Sequence, residues 1–326
     1  MQAITIQEPG GPEVLKLGSV PDPIPSPEQV LVRVRATALN RADTLQRQGQ
    51  YPPPPGESDI LGLELAGEVE AVGSAVRAIA VGERVFGLVG GGGYAEKAII
   101  DARMAMPIPE GWSFAQAVAV PEVYFTAQET IFTLAGLKRG ETILIHAGAS
   151  GVGTAGIQMA RETGATVLVT AGSAEKIQRC VDLGATAGCN YKEQDFAEWV
   201  QRATDGKGVE VIEDFIGAAY WDKNLKSLTL GGRLVLVGVM GGVKVETNLG
   251  LILRKRLQVF GSVLRTRTLA DKIDITRRFQ ANWLPLLTAG RVKPIIDCRF
   301  PLEQAAEAHQ YMEDNKNFGK IILEVP

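Results

Sequence analysis

Residues 142–164 read TILIHAGASGVGTAGIQMARETG: an apolar strand, a turn built from Ala, Gly and Ser, and a helix. Ile143, Leu144 and Ile145 form a short β-rich run, and Gly148, Gly151 and Gly153 punctuate the turn. Ile157, Met159 and Ala160 then continue at helical spacing until Gly164 stops the helix. This is the pattern of the opening βα unit of a dinucleotide fold. Small residues let the backbone approach a pyrophosphate, and the helix N-terminus offers it unbonded N–H groups and a positive dipole end. The spacing departs from a strict GxGxxG, because Ser150 stands where a glycine is expected. A tight strand-to-helix turn with no ligand fits the same residues, so the rest of the chain has to decide.

Downstream the texture repeats. Strand-like runs at 166–171, 187–191, 209–215, 232–240 and 257–264 alternate with helical patterns at 174–183, 195–204 and 221–230. Six strands alternating with helices predict a doubly wound parallel sheet with right-handed crossovers. Upstream, residues 1–120 carry strand and turn signals with almost no helical period. The run QVLVRVRATA at 29–38 alternates strictly from Val30 to Val34. That predicts a compact, mostly antiparallel, barrel-like β domain. After a helix at 269–289, β-type sequence returns at 292–300 and 320–325, around a short amphipathic helix at 302–313. The expected fold is therefore α/β: a Rossmann sheet, residues 122–287, inserted into a β domain formed by 1–121 and 288–326.

Composition excludes several classes. With 34 Lys and Arg against 37 Asp and Glu, the net charge of −3 provides no basic field for nucleic acid. No apolar run approaches 18 residues, and MQAITIQEPGG lacks the charged and apolar regions of a leader, so no membrane span and a cytoplasmic location are expected. Cys180, Cys189 and Cys298 are widely spaced and the histidines are only His146 and His309, so neither a disulfide framework nor a metal site is expected. The thiols read as buried and inert. His146, at the end of the first Rossmann strand, is expected to hydrogen-bond within the glycine turn. His309 reads as a surface or packing residue, residues 90–93 (GGGG) as a hairpin turn, and Arg254, Lys255 and Arg256 as a solvated edge.

The second Rossmann strand ends in VTAGSAEK, residues 169–176. A cofactor with a free ribose 2′-OH favours an acid at such a position, and none precedes Glu175. Ala171, Gly172 and Ser173 leave room for a 2′-phosphate. Lys176 and Tyr191 can supply charge and a hydroxyl to it, which favours NADPH over NADH. Residues 38–51, ALNRADTLQRQGQY, run from a strand into a polar turn and helix. Asn40, Arg41 and Asp43 there serve either as caps or as site residues, and Tyr51 is stiffened by Pro52 to Pro55.

In this order of domains the chain resembles the medium-chain dehydrogenase/reductase superfamily, with the GroES-like β domain that the superfamily carries. ALNRAD, LGLELAGEV, GERVFGL, PEVYFTA and HAGASGVG are similar to the zeta-crystallin-type NADPH quinone oxidoreductases. NRADTLQRQGQY, MPIPEG, LVTAGS and NKNFGKI resemble most closely their tumour-suppressor-inducible subgroup. The resemblance implies catalytic roles for Tyr51, the active-site tyrosine, and Asn40, the cleft asparagine. It places Thr126 beside the nicotinamide and Ala149, Ser150, Gly151, Val152 and Gly153 at the pyrophosphate. Gly172, Ser173, Lys176 and Tyr191 fall at the 2′-phosphate, and Asn317, Gly319 and Lys320 on a returning cofactor segment. A homodimer, paired near 259–264, is also implied. Zinc-dependent relatives carry a Cys near Asn40, a GHE motif where this chain has Gly62, Leu63 and Glu64, and a four-cysteine loop that is missing here.

Without a Lewis acid to hold an alkoxide, simple ketones and alcohols are poor candidates, whereas a quinone or conjugated carbonyl delocalises the incoming charge itself. The expected activity is zinc-independent hydride transfer from NADPH to quinones. An alkenal or enone double-bond reductase, and a low-turnover NADPH-binding sensor or structural protein, are the alternatives.

Overall fold

The computed structural model describes residues Met1–Pro326, and the chain divides into two compact units: Met1–Val123 with Arg265–Thr288 and Pro294–Pro326, and Tyr124–Leu264 with Ala289–Lys293.

The first unit opens with β1 (Gln2–Thr5) and β2 (Lys16–Ser19), which pair antiparallel. Its main sheet begins with β3 (Gln29–Ala38), the alternating run. Val30, Val32 and Val34 are fully buried while Arg33 is exposed, the pattern of a pleated strand with one face in the core. Antiparallel partners β4 (Glu64–Val72) and, over its first half, β6 (Lys97–Asp101) flank it. On the far side of β4 lie β5 (Arg84–Leu88) and then the two-residue β7 (Met106–Pro107). Residues 90–93 do not form the expected hairpin. β5 pairs with β4 and β7, and β6 pairs with β3, so the glycines join strands that are not neighbours. They lie instead along residues 57–62, where a Cβ on Gly90 would fall 2.0 Å from the Glu57 carboxyl carbon and one on Gly91 would fall 2.4 Å from the Ser58 carbonyl.

The second unit is the parallel sheet. β8 (Thr142–Ile145), β9 (Thr166–Ala171), β10 (Ala187–Asn190), β11 (Val209–Asp214), β12 (Leu228–Leu236) and β13 (Gln258–Gly261) run in the order β10-β9-β8-β11-β12-β13. The order reverses between β8 and β11, which makes the C-terminal end of β8 the topological switch point. Strands such as TILI and TVLVTA are buried almost throughout because helices cover both faces of a parallel sheet. The helix Gly151–Glu162 approaches the sheet closely, since a Cβ on Gly156 would lie 2.9 Å from Ile131 Cδ1 and 3.2 Å from Ile145 Cδ1. Ahead of the sheet runs the helix Pro121–Ala127, with proline at a first-turn position that needs no donor. It continues as a π-helix, Gln128–Leu134.

The first unit is then completed by β14 (Ile296–Pro301) and β15 (Lys320–Glu324), parallel to each other, with β15 antiparallel to β3. The return comes earlier than the expected residue 288. Arg265 hydrogen-bonds the carbonyls of Gly90 and Tyr51, and Lys272, on the helix Leu269–Asn282, pairs with Glu57 at 3.5 Å. These long-range ties, invisible to local periodicity, hold the helix to the first unit. Residues 289–293 cross back, with Lys293 N–H donating to Gln158 Oε1.

Candidate active site

In the second unit the sequence-predicted turn forms at the switch point. Ala147 takes a left-handed φ of 49°, and the Ser150 hydroxyl caps the helix by accepting from Gly153 N–H at 3.0 Å. Gly151 and Val152 occupy the next positions, where the N–H groups of a first turn have no intrahelical acceptor and suit an anion. Gly153 is fixed by packing, for a Cβ there would sit 2.5 Å from the Ala147 carbonyl. Ala149 is buried beneath the turn. Thr126 is nearly buried on the helix Pro121–Ala127, its carbonyl accepting from the Thr130 hydroxyl.

At the end of β9 the structure brings together Gly172, Ser173, Lys176 and Tyr191. Ser173 caps the helix Ala174–Leu183 by accepting from Lys176 N–H. A Cβ on Gly172 would meet the Tyr191 hydroxyl at 2.9 Å and Lys192 Cε at 3.3 Å. Only glycine therefore lets this half-exposed tyrosine lie over the turn. Lys192 is a second cation at the same place, next in sequence to Tyr191. No carboxylate stands between Ala171 and Ser173, so the corner fits a 2′-phosphate better than a bare ribose.

His146 does not bond within the turn. Fully buried, it lies between the Thr170 hydroxyl at 2.9 Å and Asn224 Oδ1 at 2.8 Å, and burial pushes it down to about 4. A neutral ring with both nitrogens engaged holds β9 to the helix Trp221–Ser227.

The first unit contains a buried polar network. Lys320 Nζ donates to the Leu39 carbonyl at 2.9 Å, Asn40 Oδ1 at 2.7 Å and Glu64 Oε1 at 2.6 Å. Asn40 Nδ2 donates to the same Glu64 oxygen at 2.9 Å, and Glu64 Oε2 accepts from Glu122 N–H. All three donors of Lys320, expected on the returning cofactor segment, are thus engaged within the chain. Asn40, expected to be catalytic, has both side-chain atoms in this network. Asp43 accepts from the N–H groups of Asn40 and Gly62, and burial raises it to about 6. Tyr94 donates to Asp43, and its hydroxyl also meets His309 Nε2 at 3.2 Å. His309, expected at the surface, is fully buried between Tyr94 and Arg47 because its helix turns that face inward; burial and the Arg47 charge push it down to about 3. Gly319, at φ 90°, lies 2.4 Å in Cβ terms from the Ile295 carbonyl, and Asn317 Nδ2 donates to the Gly319 carbonyl. Both shape the turn into β15.

Tyr51 sits apart from that network. Its carbonyl accepts from Arg265 Nη1 at 3.2 Å, and the Arg265 guanidinium carbon lies 5.3 Å from its ring centroid. Burial and the nearby Glu122 carboxyl raise the Tyr51 phenol, and Arg265 opposes them. Glu122 itself is pushed up to about 8, first by burial and then by Glu64, so it is protonated at neutral pH. Sequence reasoning missed Arg265 and Glu122; the PE pair before VYFTA was the only available signal.

No group of three or more His, Cys, Asp or Glu is arranged to hold a metal ion. Glu64 is neutralised by Lys320 and both histidines are engaged as described. The thiols of Cys180, Cys189 and Cys298 are raised by burial to about 12, 11 and 11, which leaves them unreactive. No helix is long and apolar enough to cross a membrane.

Comparison with known proteins agrees with this architecture. Residues 26–110 match the alcohol dehydrogenase GroES-like domain, and residues 151–278 match the zinc-binding dehydrogenase family. A quinone oxidoreductase of Rattus norvegicus is 36% identical over 99% of this chain and 97% of its own length. The crystal structure of Escherichia coli quinone oxidoreductase complexed with NADPH is 31% identical, with a TM-score of 0.91 over 99% of this chain and 100% of that one. The CurK enoyl reductase structure is 27% identical, with a TM-score of 0.88 over 100% of this chain and 99% of that one. Similar over its whole length to such relatives, the chain belongs to the quinone oxidoreductase family of the medium-chain dehydrogenase/reductase superfamily.

Proposed function

We propose that this protein is an NADPH-dependent quinone oxidoreductase that works without zinc. The observation that carries the cofactor is the acid-free corner after β9, where Tyr191 lies over Gly172 with Lys176 and Lys192 beside it. Family membership along the entire chain carries the acceptor. Bound NADPH would supply the hydride, and with a solvent proton the quinone would be reduced to the hydroquinone. The turn around Ser150, Gly151 and Val152 holds the pyrophosphate, Ser173, Lys176 and Tyr191 hold the 2′-phosphate, and Thr126 borders the nicotinamide. Tyr51 orients the acceptor oxygen, and Asn40 keeps its floor in place through Glu64 and Lys320. Where zinc-dependent relatives place Cys and His, this chain has Asn40 and Leu63, and the remaining Glu64 is paired with an ammonium, which argues for a metal-free reaction.

The likeness to an enoyl reductase supports a second reading, reduction of conjugated double bonds in the same site. Steady-state NADPH oxidation with ortho-quinones, para-quinones and short enals separates the two. Turnover with quinones above that with enals is expected, and no NADPH oxidation with any quinone would reject the first reading. A low-turnover sensor would bind NADPH and oxidise it with neither class.

Two further features belong to this proposal. Edge strand β13 leaves Val259 and the following Val263 exposed, an unpaired apolar edge suited to pairing with a second copy, so we expect a homodimer by sedimentation. Three free thiols fit a reducing compartment, the cytoplasm.

A further inference from the structure

We propose that Arg265 is a catalytic residue: its Nη2 donates a hydrogen bond to the acceptor oxygen on which negative charge collects as the hydride arrives. The inference rests on the quinone-reducing reading above and names the group that takes the place of a Lewis acid in it. Arg265 is 5% exposed, and two of its nitrogens are fixed, Nε on the Gly90 carbonyl at 3.0 Å and Nη1 on the Tyr51 carbonyl at 3.2 Å. Its Nη2 is buried with no hydrogen-bond partner in the protein. A buried charged donor left unmade is costly, and one clamped in place beside the tyrosine that orients the substrate is preorganised for an oxyanion.

The surroundings preserve its charge. No carboxylate forms an ion pair with Arg265, although Asp43, Glu122 and Glu57 lie within its field. Glu57 is engaged by Lys272, and Asp43 accepts from Asn40, Gly62 and Tyr94. Glu122 is held protonated by burial. A guanidinium among acids that are either neutral or already bonded keeps its field for the incoming anion. The fork geometry also matters: the two carbonyls fix its plane, which a lysine cannot reproduce.

Two measurements on Arg265→Gln and Arg265→Lys test this. The first is kcat and KM over a series of para-quinones of falling reduction potential. For Arg265→Gln the expected loss in kcat is on the order of 10²-fold, growing toward the poorer acceptors, with NADPH affinity retained. The second is a spectrophotometric titration of 4-nitrophenol on the NADP+-loaded protein, where the phenolate imitates the charged product. Wild type should lower the bound phenol's pKa, Arg265→Gln should abolish that shift, and Arg265→Lys should recover part of it. A loss uniform across the series with an unchanged titration, or no lowering in wild type, would overturn the proposal and leave Arg265 as an anchor of residues 51 and 90. If Arg265→Gln does not fold, Arg265→Lys is read alone, with loss of part of the shift expected and full retention contrary. A wild type that oxidises NADPH with no quinone yet lowers the phenol pKa would reject the quinone reading while keeping the anion site.

Discussion

Four cations are buried in the first unit, Arg47, Arg265, Lys272 and Lys320, and the surroundings of Lys320 and Arg265 differ in kind. Lys320, 3% exposed, has three acceptors for three donors and a fully buried carboxylate at 2.6 Å. Arg265, 5% exposed, has two carbonyls, no carboxylate and one nitrogen without a partner. A closed set of bonds fixes architecture, because any rearrangement exposes a charge to an apolar interior. An open set retains capacity to bind something from outside the chain. The same division separates Asn40, closed on Glu64 and Lys320, from Tyr51, whose hydroxyl makes no hydrogen bond within the chain.

The largest expected effect breaks the closed region. Glu64→Ala leaves the Lys320 ammonium buried without its counter-charge, a change that costs about 3–5 kcal/mol in proteins generally. The urea midpoint should fall accordingly, and the double variant Glu64→Gln with Lys320→Met should recover much of the loss. Stability left unchanged by Lys320→Met together with weakened NADPH binding would instead return Lys320 to the cofactor.

Next comes the outward-facing corner of the second unit. Lys176→Ala should weaken NADPH by on the order of 10²-fold while leaving NADH nearly unaffected, since a charge-assisted hydrogen bond to a phosphate is worth roughly 1.5–3 kcal/mol. Fluorescence titration with both nucleotides measures it. Equal losses would remove the 2′-phosphate assignment. Lys192→Ala, by the same measurement, decides whether the second cation shares the load.

How much of this was legible depended on the range of the interaction. The turn at 148–153 and the strand–helix alternation are local patterns, and the sheet order at their switch point follows from them. The acid-free end of β9 was equally plain, because absence of Asp or Glu is read directly. The closed network was not, for Lys320 and Glu64 are 256 residues apart, and a lysine in NKNFGKI reads the same whether it meets a phosphate or a carboxylate. Arg265 and Tyr51 are 214 residues apart, so nothing local in LRTRT marks Arg265 as a partner of Tyr51. His309 was misread because an amphipathic helix of this length shows a period but not which polar residue faces a buried partner.

A pH-dependent effect concerns an acid that resembles Glu64 in burial and differs in company. Glu213 is fully buried, with one oxygen in a hydrogen bond to the Thr130 hydroxyl oxygen at 2.6 Å and no partner on the other. Burial raises it from 4.5 to about 8. The folded state therefore holds a proton that the unfolded state releases above its ordinary value. Its contribution to stability is full below pH 4.5 and is lost as pH rises through 8. Glu213→Gln should remove from the stability profile in that window a downward slope of about 1.4 kcal/mol per pH unit. Urea denaturation at pH 5, 6.5 and 8 reads this, and an unchanged slope would mean that Glu213 is ionised in the fold.

The smallest effect falls on Ser150, which stands on both sides of the division. Its hydroxyl is closed on Gly153 N–H, as a cap, yet it sits in the turn assigned to the pyrophosphate. If the capping bond is its whole role, Ser150→Ala costs about 1 kcal/mol of stability and leaves NADPH affinity unchanged. If the hydroxyl also faces the phosphate, affinity falls as well, and NADH should fall in parallel because both nucleotides share the pyrophosphate. The expected outcome is the parallel loss, by a few-fold, since neighbouring backbone N–H groups continue to hold the anion. Comparison with Lys176→Ala then separates a contact made to the common part of the cofactor from one made to the part that distinguishes NADPH.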